Sequence, residues 1–245
     1  MRSLAHTSVA PERGRTAARA ATRATHMPDR RSELAVTALL VWLPLLAILA
    51  LAVLITANTD ITMRQMTQDP TTVLDGPFYV GAISNLGNVL WAAAVALCLF
   101  AASGLPGIVG PGWSRFLLVS GAFTALLLVD DMLLVHDEIL PRYAGIGGDA
   151  YGVLYVAGML GFLVGFRARI RQTNWQVLIV ALALFGISTV VDVGSSRLSD
   201  LIPSSVVILL EDAAKLLGIG TWLAYLASVA RQGIVAAMQE DQAAS

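Results

Sequence analysis

Six apolar runs follow one another along this chain, at 34–56, 79–102, 116–138, 150–166, 175–195 and 204–229. Each is close to the ~20 residues a helix needs to cross the hydrocarbon core of a bilayer. A backbone in lipid must satisfy its own hydrogen bonds, which such runs do as helices. The expected fold class is therefore all-α: a polytopic membrane protein, built as a six-transmembrane-helix bundle. Only 13% of the 245 residues are charged and 56% are hydrophobic, where an average soluble domain is about 25% charged. That balance excludes a disordered chain, a fibre and an ordinary water-soluble enzyme. The single cysteine, Cys98, cannot form an internal disulfide, which excludes a disulfide scaffold.

Ahead of the first run, residues 1–33 carry seven Arg and no hydrophobic period. They read as a disordered, Arg-rich cytoplasmic arm. Two further readings apply to this stretch: a transit-type leader, and a start at Met27, since Met27-Pro28-Asp29-Arg30-Arg31 would open a shorter protein. The transmembrane domain is expected over 34–231, with a cytoplasmic tail at 232–245. Basic residues in short loops set orientation. The arm, Arg115, the Arg167–Arg169–Arg171 loop and Arg231 place twelve basic residues on one side; Arg64, Arg142 and Arg197 place three on the other. Both termini are thus expected in the cytoplasm, and the protein in the cell membrane (the inner membrane, in a bacterium). Pro141 is the expected end of the third span. Gly158, Gly161 and Gly165 are expected to form a close-packing face in the fourth.

Several ionisable groups sit where a bilayer would make them costly, by at least ~2.5 kcal/mol each. The third run holds Asp130, Asp131 and His136, the fifth ends at Asp192, and the sixth holds Glu211, Asp212 and Lys215. With the orientation above, a rise of about 1.5 Å per residue brings these groups to one depth in the outer half of the bilayer. The second run adds Ser84, Asn85 and Asn88 in the same layer. Glu211 and Lys215 are four apart on one helical face, a favourable order for an ion pair. Asp130 and Asp131 diverge by about 100° around their helix. Asp131 and Glu138 are seven apart and are expected to share a face, as are Asp130 and Asp137. Five acids against one Lys and at most one charged His cannot all remain ionised in a poor dielectric without a proton, a cation or water among them.

These residues point to a buried cation- or proton-binding site. Asp131, Glu211, Asp212 and Asp192 are candidate ligands for a divalent metal of unknown identity, since carboxylate oxygens suit hard cations. Asp130, Asp131, His136 and Lys215 are candidate catalytic groups, with His136 or an acid as general base. Asn85 and Asn88 are supporting polar groups. One version is a metal-assisted enzyme acting on a lipid or small molecule at the outer leaflet. The alternatives are a proton- or ion-coupled transporter and a membrane assembly factor. The expected partners are the lipid bilayer and an unknown small-molecule or lipid ligand, with no nucleic acid. His136 is the sole His beyond residue 26, so the paired histidines of the zinc-holding alkaline ceramidase and adiponectin-receptor superfamily are missing. The acid-xxx-Lys spacing of Glu211 and Lys215 is similar to that of retinal-binding rhodopsins. Six runs in place of seven, and no arginine near the acids of the third, count against that likeness.

Overall fold

The computed structural model describes residues 38–103, 111–145 and 148–243, and all regular structure among them is helical. The arm at 1–33 and the glycine-proline turn after Ser103 lie outside the described residues. The chain divides into two compact units, Met1–Val80 and Gly81–Ser245.

In the first unit, a π-helical turn at Ala38–Trp42 leads into α1 (Leu43–Asn58). The helix exposes apolar side chains on every side, Ala52 alone being buried. Two short helices follow, α2 (Met63–Thr67) and α3 (Pro70–Val73). Thr62 and Gln65 cap α2 reciprocally, and Asp69 caps α3 ahead of Pro70, so each start satisfies its own free N–H groups. Arg64 ties the two together, donating to Gln68 Oε1 at 2.9 Å and to the Thr72 carbonyl at 3.1 Å.

The second unit contains α4 (Ala82–Ser103), α5 (Pro111–Leu133), a π-helix at Val135–Ala144, α6 (Gly148–Gly165), α7 (Arg167–Ile170), α8 (Trp175–Val193), α9 (Ser195–Ser199) and α10 (Ser204–Ala243). Helix α10 is the central element and packs against α8, α4 and α5. Its Ile219, Trp222, Tyr225, Leu226 and Val229 meet Trp91 and Cys98 of α4, Phe116 of α5, Phe162 of α6 and Leu178 of α8 in one core. Two glycines permit the closest approaches. A Cβ at Gly121 would lie 3.0 Å from Cys98 Cβ, and one at Gly218 would lie 2.9 Å from the Phe185 ring. Phe185 in turn stacks on Trp91, with ring centroids 5.6 Å apart.

The six apolar runs fall on α1, α4, α5, α6, α8 and α10. Among the described residues, three helices, Ala82–Ser103, Gly112–Leu133 and Trp175–Val193, are long and apolar enough to cross a membrane; Leu43–Asn58 and Tyr151–Gly165 are apolar but shorter. Large apolar side chains such as Val89, Phe100, Leu126 and Val190 stay exposed on these helices, a surface suited to lipid.

Three expectations need correction. Helix α5 stops at Leu133, because Leu134 adopts a left-handed conformation (φ 52°) and breaks the ladder. Pro141 lies inside the following π-helix and does not end the span. With the helix broken, the shared faces of Asp130 with Asp137 and of Asp131 with Glu138 do not arise. Among the described residues the glycines of α6 form no close-packing face: nothing lies within 4 Å of a Cβ at Gly161 or Gly165, and at Gly158 only Phe123 comes near, at 3.5 Å. Helix α10 runs on to Ala243, so residues 232–243 of the expected tail are helical.

Candidate functional site

Asp130 and Asp131 close the last turn of α5, and their divergence sends them to different partners. Asp130 is buried and turns along its own chain. Its Oδ1 accepts the His136 backbone N–H at 3.0 Å and its Oδ2 lies 2.7 Å from His136 Nδ1. The left-handed Leu134 stands between the two residues, where α5 gives way to the π-helix. The other ring nitrogen of His136, Nε2, lies 3.2 Å from Asp137 Oδ1. Tyr151 stacks parallel to the His136 ring, with centroids 6.0 Å apart, and Tyr155 meets Tyr151 edge-on at 4.8 Å. Asp131 instead reaches across to α10 and forms an ion pair with Lys215 Nζ. Asp131 is largely buried in this pair, with 11% side-chain exposure, against 41% for Lys215.

These two pairs stand in the wall of a cavity of about 650 Å³ within the second unit. Its polar wall is made by Asp130, Asp131, His136, Asp137, Tyr155, Ser188, Thr189, Asp192, Glu211 and Lys215. Its floor is apolar and aromatic: Trp91, Phe123, Leu127, Met159, Phe185 and Trp222. Beyond that floor Phe116, Phe162 and Phe166 pack on one another. Trp222 Nε1 donates to Thr124 Oγ1 at 3.0 Å, where both side chains are fully buried.

The expected site residues divide between two places. Asp130, Asp131, His136, Asp192, Glu211 and Lys215 share the large cavity. Asp212 does not; one residue along α10 from Glu211, it faces a second space of about 30 Å³ lined by Ser84, Gly87, Asp131 and Lys215. That volume is of the order of a single water. The Asp131–Lys215 pair borders both spaces. Asn85 is exposed and lines neither cavity, while Asn88 Oδ1 is buried without a hydrogen-bond partner among the described residues. Among the described residues, no group of three or more His, Cys, Asp or Glu side chains is gathered closely enough to hold a metal ion. The acids surround a space instead of converging on a point.

One family model matches residues 33–229, "Domain of unknown function (DUF8692)". The chain belongs to this family. No curated protein and no solved structure matches it. The match takes in all six apolar runs, and every residue of the cavity wall lies inside it.

Several lining residues escape a reading of the sequence. Asp137 looks like an interfacial charge at a helix end, yet it reaches His136. Tyr155, Ser188, Trp91 and Trp222 look like ordinary members of apolar runs. A signal exists for Ser188: with Leu182, Phe185, Thr189 and Asp192 it follows the i, i+3, i+4, i+7 spacing of one helical face.

Proposed function

We propose that this protein is a multi-pass membrane protein with six spans and cytoplasmic termini, and that its second unit binds a cation or protons in a cavity reached from the outer side. The observation that supports this reading is the charge of the cavity wall. Five carboxylates (Asp130, Asp131, Asp137, Asp192 and Glu211) face one Lys and one His. Lys215 is taken by Asp131, and His136 lies between Asp130 and Asp137. Asp192 and Glu211 have no salt-bridge partner among the described residues, so a positive species entering the cavity meets two unbalanced acids. A unit charge about 8 Å away at an effective dielectric of 20 is worth about 2 kcal/mol. Attraction of that size biases entry by more than about tenfold per acid.

Thiol chemistry tests the charge and the orientation together. Cys98 is fully buried and serves as the silent native thiol. Gly186 lines the cavity with open space around its Cβ, so Gly186→Cys places a reporter there without displacing a neighbour. Membrane-impermeant methanethiosulfonates with trimethylammonium and sulfonate heads are added from either side of sealed vesicles. The cationic reagent should be favoured at least tenfold over its preference for a free thiol in solution, and from the outer side only. Asp192→Asn with Glu211→Gln should abolish the preference. A reporter without charge preference refutes the reading, and reaction from the cytoplasmic side refutes the orientation. Elemental analysis of wild type beside Asp131→Asn and Glu211→Gln covers the metal version. One divalent ion per wild-type chain, lost in the variants, would make the site a metal centre.

A further inference from the structure

The cavity grades in polarity along its length, and three helices grade it in the same sense. On α5 the lining passes from Phe123 and Leu127 to Asp130 and Asp131; on α8 from Leu182 and Phe185 through Ser188 to Asp192; and on α10 from Trp222 to Lys215 and Glu211. At a rise of about 1.5 Å per residue these gradients span roughly 12–17 Å. A site for a small hydrated cation needs no aromatic floor of that extent, and a site for a purely apolar molecule needs no acids. Ser188 adds a separate observation. The residue is 8% exposed and lines the cavity, and its hydroxyl, without a hydrogen bond among the described residues, stays open to that space. Its neighbour Thr189, by contrast, donates to the Phe185 carbonyl at 3.0 Å. Open to the cavity midway along the gradient, that hydroxyl can donate to or accept from a polar atom of a ligand seated there.

We infer that the cavity's ligand is a cationic amphiphile, an apolar chain seated on the Trp91–Phe185–Trp222 floor with an ammonium head near Ser188, Asp192 and Glu211. This rests on the cation-binding reading above and names its ligand class. An anionic amphiphile of the same length meets the same floor but a wall of net negative charge. A neutral one leaves the two unbalanced acids uncompensated.

The test uses the full chain carrying Gly186→Cys in phosphatidylcholine nanodiscs, with Ser188→Cys as a second, near-isosteric reporter. The rate of modification by a small neutral methanethiosulfonate is measured with dodecylamine, dodecanol, dodecanoate or methylamine present at matched loading. Dodecylamine should slow modification at least tenfold, and the other three less than twofold. In the Asp192→Asn, Glu211→Gln background, protection by dodecylamine should fall to that of dodecanol. Equal protection by dodecanol and dodecanoate overturns the cationic head. Protection by methylamine alone overturns the apolar body, leaving a small-cation site. Failure of dodecylamine to protect, with the charge preference of the Gly186→Cys reporter intact, overturns this inference and spares the reading beneath it. Loss of the charge preference overturns both.

Discussion

Replacing Lys215 by Met should destabilise the second unit more than replacing Asp131 by Asn, although both changes break the same ion pair. Removing one partner of a fully buried pair costs about 3–5 kcal/mol, because the other charge is left uncompensated. Asp131 fits that case, with 11% side-chain exposure, whereas Lys215 is 41% exposed and opens to the cavity. Partial solvation brings the expected cost of Lys215→Met down to about 2–3 kcal/mol. Asp131→Asn leaves Lys215 in better company. Glu211 and Asp212 stand four and three residues before it on α10, within side-chain reach on the same helix. Its cost should be about 1 kcal/mol, and the double variant should show a coupling of about 1–2 kcal/mol. Reversible unfolding in mixed detergent–SDS micelles reads all four corners of the cycle. Equal costs for the two single variants, or a coupling below about 0.5 kcal/mol, would show that the pair is incidental and that Lys215 does not organise the wall.

Three further expectations follow from packing and capping. Gly218→Ala would set a Cβ 2.9 Å from the Phe185 ring, so it should cost about 1–3 kcal/mol by overpacking and narrow the cavity; an unchanged melting temperature in detergent would contradict the close approach of α8 and α10. Trp222→Phe keeps most of the ring but removes the donor to buried Thr124, and should cost about 1–2 kcal/mol; the fuller loss expected of Trp222→Ala, about 3–5 kcal/mol, separates packing from hydrogen bonding. In the first unit, the Thr71 hydroxyl at 2.5 Å and the Thr71 backbone N–H at 2.9 Å hold the Asp69 carboxyl below the usual aspartate range. A folded-state value below the unfolded one means the cap stabilises fully above the ordinary aspartate range and is lost as pH falls through the lowered value. A carboxyl ¹³C titration of Asp69 in wild type and in Thr71→Val should show the midpoint rising in the variant; coincident curves would remove the cap's electrostatic role.

The helical class, the positions of the apolar runs and the identity of most wall acids were legible in the sequence. Long apolar runs leave a backbone one way to satisfy itself, and acids inside such runs stand out by cost alone. Partner choice was another matter. Four-residue spacing favours Glu211 for Lys215, yet Lys215 bonds to Asp131 on α5. Local spacing gives the partners available on one helix; the rotation and register of a neighbouring helix decide which carboxylate arrives first. Adjacent acids must diverge around a helix, but nothing local tells which of Glu211 and Asp212 faces the larger space.

The end of α5 shows the same division. Pro141 is the strongest breaker in that stretch of sequence, but the break falls at Leu134, a residue with no breaker signature. A left-handed Leu is tolerated there because Asp130 takes up the freed His136 N–H and the ring beside it. The glycines of α6 read as a contact face and found no neighbour among the described residues closer than Phe123, since small residues permit close approach without causing it. Composition and periodicity therefore determined that this chain is helical, apolar and studded with costly acids. Only the tertiary structure decided that those acids ring a cavity with an aromatic floor, because that outcome depends on how α5, α8 and α10 are turned about their own axes, and the side chains of one helix do not specify the rotation of the next.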